Sequence, residues 1–124
     1  MTKLSARVTL SLLVNDMSET LGFYEGLGFR ATGRQPDSNG EWAEVRRDDL
    51  VLQFFTEPPI GIADIPTASG TFYFHPDSVD DLANEWKDKV ELAWGPEDMP
   101  YGTREFGITD PNGYYLAFTE TSRK

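Results

Sequence analysis

The chain is one short module written twice. Residues 7–57 and 71–120 each read as an alternating strand, a short amphipathic helix and three further strand-like runs. Each copy closes on the same three residues, Phe55-Thr56-Glu57 and Phe118-Thr119-Glu120. A repeat at about 50 residues constrains the fold more than any local signal, because a unit that small cannot bury its apolar face alone. The expected architecture is α+β: two βαβββ modules forming curved mixed sheets around a cleft, with helices on the outer face. The repeats span 5–57 and 70–121, joined by a linker at 58–69 that is too short to make them independent, so 1–124 is expected to form a single domain.

Alternation places a strand at 7–14, with Val8, Leu10 and Leu12 on one face and Thr9 and Ser11 on the other. Asp16 or Ser18 caps a helix that carries Leu21, Tyr24 and Glu25 on one side and ends at Gly26–Gly28. Strands follow at 29–34, 42–46 and 50–56, with a turn at 36–40. In the second copy a strand at 71–75 points Phe72 and Phe74 one way and Thr71, Tyr73 and His75 the other. Asp77 or Ser78 caps a helix reaching about Lys89, with Val79, Leu82 and Trp86 on its apolar stripe. Strands are expected at 90–94, 104–109 and 114–120, with a loop at 95–100 and a tight turn at Asp110–Gly113. The helix-packing side of the sheets takes Val8, Leu10, Leu12, Phe72, Phe74, Tyr114, Leu116 and Phe118. The opposite side is mixed polar and aromatic, which suits a ligand-lined cleft.

The formal net charge of -10 speaks against nucleic acid, which needs a basic footprint, and against anionic membranes. No apolar run is long enough to span a bilayer. Without cysteine, disulfides, thiolate catalysis and cysteine-bound metal are excluded. The N-terminus runs into the first strand with no signal-peptide core, and a cytoplasmic setting is expected. An acidic cleft attracts cationic small molecules.

The run from Leu13 to Tyr24 (LVNDMSETLGFY), followed by Leu27-Gly28-Phe29, resembles the opening signature of the vicinal oxygen chelate superfamily, which includes glyoxalase I, extradiol dioxygenases, and fosfomycin and bleomycin resistance proteins. Val79–Leu82, Gly102–Phe106 and Asp110–Gly113 continue the likeness in order, so that it covers nearly the whole chain. The resemblance implies a cleft in which metal-dependent members hold one divalent ion. Carried over by position, the metal-ligand places fall on Thr9, Gln53, Thr71 and Ala117. Threonine hydroxyls are poor ligands and alanine offers none, whereas such a site normally needs about three good N or O donors. His75, the only histidine, cannot rebuild a histidine-based site. No catalytic residues, metal or cofactor are therefore expected.

In character the chain is most similar to the bleomycin resistance proteins, which bind a drug without modifying it and pair into dimers. This implies a metal-free binder of a cationic aromatic drug or metabolite, acting as a homodimer, with modules paired within or exchanged between chains, and a link to antibiotic resistance. The alternative is an atypical lyase or oxygenase of the same superfamily. Candidate ligand-binding residues are the aromatic Trp42, Phe55, Tyr73, Trp94, Tyr101 and Tyr115, the cleft-rim His75, and the acidic Glu97 and Asp98, with Glu44 as a further carboxylate. Aromatic walls stack on flat rings and carboxylates hold a cationic tail. Arg104 is expected to pair with Glu105 or Asp110.

Overall fold

The structure is a computed structural model that describes residues 1–4, 7–36, 40–58 and 64–122. Most of the turn expected at 36–40, residues 59–63 of the linker, the first two residues of the repeat at 5–57 and the last two of the tail lie outside the described residues. The chain divides into two compact units, Met1–Ile65 and Pro66–Lys124, with the boundary inside the expected linker.

The first module runs β1 (Leu10–Leu13), α1 (Met17–Gly26), β2 (Arg30–Pro36), β3 (Glu41–Arg47) and β4 (Leu50–Phe55). The second runs β5 (Thr71–Phe74), α2 (Val79–Trp86), β6 (Trp94–Asp98), β7 (Thr103–Thr109) and β8 (Tyr115–Thr121). Each forms a four-stranded mixed sheet, in the orders β1-β4-β3-β2 and β5-β8-β7-β6. The β1–β4 and β5–β8 pairs are parallel and the rest are antiparallel. The helix that follows the first strand of each module covers one face of its sheet. This is the paired βαβββ architecture that the repeat implies.

Local chemistry sets the helix ends. The Asp16 carboxylate accepts from the Glu19 N–H at 2.9 Å and caps α1. At the other end Gly28 sits at φ +91°. The Gly28 and Phe29 N–H groups turn back to the Glu25 and Tyr24 carbonyls at 3.1 and 3.0 Å, and the Phe29 ring meets Tyr24 at 5.4 Å. That closure uses glycine's freedom at positive φ together with an apolar clasp. Ser78 caps α2 through the Asp81 N–H at 3.2 Å.

In the first module Met17, Leu21 and Tyr24 of α1 bury with Ala43, Val45, Leu52 and Phe54, whereas Glu25 is exposed rather than on the buried side. In the second, Trp86 meets Phe118 and Phe106 edge-on at 5.0 and 5.9 Å. Ala83 and not Leu82 completes the fully buried stripe of α2. The faces of Phe72, Phe74, Leu116 and Phe118 are as the alternation predicts, since Phe72 lies opposite Leu116 and Phe74 opposite Phe118.

Helix α2 ends at Trp86, short of the expected Lys89, and three strand spans also differ from expectation. β1 begins at Leu10, leaving Val8 and Thr9 exposed ahead of it, because an edge strand is held by one neighbour only. β5 ends at Phe74, so His75 lies beyond the strand and is exposed. The strand expected at 90–94 is displaced to Trp94–Asp98, where a loop was expected. Gly95 and Pro96 read as breakers, but they sit on an edge strand at a register shift between Trp94 and Glu97. There the missing proline N–H costs no ladder bond, and Gly95 supplies the positive φ of +71°.

Candidate functional site

Strand parity collects most of the predicted residues on the faces turned away from the helices. In the second module Tyr73, Ala117, Gly107 and Trp94 are consecutive partners across β5, β8, β7 and β6. The middle of this row carries almost no side chain, so the two aromatic residues at its ends frame a shallow floor. The Trp94 indole lies down over Gly107, where a Cβ would overlap its ring atoms. Tyr115, one alternation along β8, meets Trp94 at 6.3 Å between centroids. Tyr73, Tyr101 and Tyr115 are 49%, 60% and 50% exposed. Exposure of that much aromatic surface on one face is the usual mark of a contact site.

Beneath this surface lies Glu105, only 1% exposed. One carboxylate oxygen accepts from the Tyr101 hydroxyl at 2.7 Å and the other from the Trp94 indole N–H at 3.0 Å. The Tyr73 hydroxyl is hydrogen-bonded to that of Tyr101. The Tyr101 phenol is consequently pushed well above its ordinary pKa, first by the bond to Glu105. The Thr119 hydroxyl, on the Cα partner of Glu105, is buried without a hydrogen-bond partner among the described residues.

The first module has a more polar counterpart. Trp42 and Phe55 are Cα partners on the face away from α1, and both are half-buried. Beside them Glu44 accepts from Thr32 at 2.8 Å, Arg46 at 3.0 Å and Gln53 at 3.2 Å. Those three donors, Thr32 foremost, hold its carboxyl below the usual range.

Two of the named residues stand apart. Asp98 lies on the other parity, where it pairs with Arg104 at 3.3 Å. Arg104 also grips Asp80 at 2.9 Å, so its partners are Asp80 and Asp98 and not Glu105 or Asp110. His75 lies beyond β5, while Glu97 is exposed opposite Glu105. Glu105, Gly107 and Thr119 lie beside this aromatic surface and were not among the residues the sequence pointed to for it. The available signal was a charged residue alternating with a glycine in a strand whose other face is Phe106 and Ile108.

The positions carried over for a metal do not fit one. Register sets Ser11, not Thr9, beside Gln53, and Tyr73, not Thr71, beside Ala117. The Gln53 amide is turned to Glu44, and Ala117 has no donor. Among the described residues no group of three or more His, Asp or Glu side chains is placed to hold an ion.

A model of the Glyoxalase/Bleomycin resistance protein/Dioxygenase superfamily matches residues 6–118. The chain belongs to that superfamily. No curated protein matches the chain. Among solved structures, this superfamily member is similar to TnmS3, an antibiotic binding protein from Streptomyces sp. CB03234, with TM-score 0.75, 24% identity, and coverage of 98% of this chain and 100% of that one. A bleomycin-binding protein solved with bleomycin matches with TM-score 0.72 and 22% identity over 95% and 100% of the two chains. The bleomycin resistance determinant encoded on transposon Tn5 matches with TM-score 0.69 and 26% identity over 95% and 99%. Family membership supports small-molecule binding and leaves the choice between binder and enzyme to the chain's own residues.

Proposed function

We propose that this protein is a metal-free binder that sequesters a flat aromatic molecule with a cationic substituent, and that it does so as a homodimer in the cytoplasm. The observation that carries the reading is the row Tyr73–Ala117–Gly107–Trp94, flanked by Tyr101 and Tyr115 on a face free of α2. A smooth floor of small residues with aromatic edges offers stacking area and little else. Glu97 supplies an exposed carboxylate on the same parity, and the net charge of -10 draws cations to the molecule. Ala117 stands where metal-dependent members place a ligand, and here it gives room in place of a donor. The similarity to TnmS3 and to the bleomycin-bound protein supports the choice of an antibiotic-like ligand.

The test is calorimetric titration of metal-stripped protein with metal-free bleomycin, with solution mass measured in parallel. Saturable binding at about one ligand per chain by a dimer is the expected result. The absence of heat, together with bleomycin turnover or an inert monomer, would remove the reading.

A further inference from the structure

We infer that Glu105 is a positioning residue, which fixes the Trp94 indole and the Tyr101 phenol as a preformed stacking surface and touches no ligand itself. The inference deepens the binding reading and rests on it for its consequence. Its geometry stands independently.

A carboxylate taken out of water is costly unless hydrogen bonds replace its hydration. Glu105 is 1% exposed and lies in the middle of β7, so its retention needs compensation. Compensation comes from two aromatic donors and, among the described residues, no cation: Tyr101 at 2.7 Å on one oxygen and Trp94 at 3.0 Å on the other. Both donors belong to residues on the exposed face, one from β6 and one from the turn after it. The carboxylate therefore ties two separate segments to β7. Gly107, two residues along, lets the indole lie against the sheet. A ring held by its edge from below and by a flat backbone beneath has its free face pre-oriented, which lowers the ordering cost of binding.

The arrangement also sets ligand chemistry. Glu105 is already spent on internal donors and is sealed from solvent, so it offers no charge to a ligand. Among the described residues of this module, the titratable groups that share its face are Tyr101 in the turn before β7, Glu97 on β6, Tyr73 on β5 and Tyr115 on β8, while Arg104 and Asp98 belong to the opposite face. Recognition on this face is therefore by stacking on aromatic rings, with any cationic group reaching outward to Glu97.

The decisive variant is Glu105→Gln, which keeps the shape of the side chain. The indole N–H can only donate, so it claims the amide oxygen. The amide NH₂ then faces Tyr101, and the phenol changes from donor to acceptor. Ionisation of Tyr101 followed by NMR with carbon-labelled tyrosine, assigned with Tyr101→Phe, reads that reversal directly. In the wild type Tyr101 should ionise well above an ordinary tyrosine, and in Glu105→Gln it should fall back toward or below the ordinary value. Bleomycin affinity, measured on the same samples, should drop about ten- to a hundred-fold, the scale of losing hydrogen bonds to a charged group. Tyr101→Phe, which keeps the ring and loses the tether, should also weaken binding, and it serves if Glu105→Gln does not fold. An unchanged Tyr101 ionisation in folded Glu105→Gln, or full bleomycin affinity in both variants, would overturn the inference. If the wild type binds no bleomycin, the binding reading fails while the ionisation result still decides the role of Glu105.

Discussion

At the residue scale, the two tryptophans of the second module serve opposite ends. Trp86 fills the space between α2 and the stacked pair Phe106–Phe118, whose centroids are 5.1 Å apart. Trp86→Ala would leave a void in that cluster and should cost about 3–5 kcal/mol, measurable as a lower denaturation midpoint with an unchanged slope. Trp94 instead lies over Gly107 on the far face. Gly107→Ala puts a methyl where the indole rests, so the ring must lift from the sheet. The expected outcome is a red-shifted tryptophan emission and weaker bleomycin binding in a protein that still folds. A variant with wild-type emission would show that the indole does not lie against Gly107. Trp86 was readable from helical spacing because burial on a helix repeats with its period. Tyr73 and Tyr115 were readable from strand alternation. Glu105 was not, because alternation tells which face a residue takes but not whether that face is wet, and an acidic side chain reads by default as solvated. Its meaning depends on Tyr101 and Trp94, which only the β6–β7 pairing brings to it.

At the element scale, the Asp110–Gly113 turn shows how much a single side chain can hold. The Asp110 carboxylate accepts from the Asn112 and Tyr114 backbone N–H groups at 2.9 and 3.0 Å, while Gly113 takes φ +87°. Asp110 is itself buried, so Asp110→Ala strands two backbone donors in a closed turn. The expected loss is about 1–3 kcal/mol, read by equilibrium unfolding, and Asp110→Asn should recover part of it because its amide oxygen can still accept. An alanine variant as stable as the parent would show that water satisfies both donors. This hairpin was legible because Asp-Pro-Asn-Gly names its own turn chemistry. β6 was not, because Gly95-Pro96 names a break equally well whether the chain leaves the sheet or merely kinks along its edge. The absence of a second neighbour on an edge is a property of the sheet and not of the segment.

At the scale of the whole molecule, the repeat predicted two sheets and the chain delivers two, each with two edges: β1 and β2 in one, β5 and β6 in the other. β2 carries Arg30 and Arg34, and β6 carries Pro96, Glu97 and Asp98, features that discourage further pairing. β1 and β5 are four-residue strands, LSLL and TFYF, with no charge at all. Uncharged edges of that kind need cover, which is the physical reason for proposing a homodimer. Charge then makes a prediction that separates assembly from ligand binding. Two copies at -10 each repel, and salt screens that repulsion, with a Debye length shrinking from about 30 Å at 0.01 M to about 8 Å at 0.15 M. Dimer association followed by analytical ultracentrifugation should therefore tighten as salt rises over that range. A cationic aromatic ligand attracted by the same charge should bind more weakly as salt rises. Opposite salt slopes for the two equilibria are the expected result. A monomer at every salt concentration would remove the dimer, and a bleomycin affinity indifferent to salt would show that stacking on the aromatic face proceeds without help from the acidic surface.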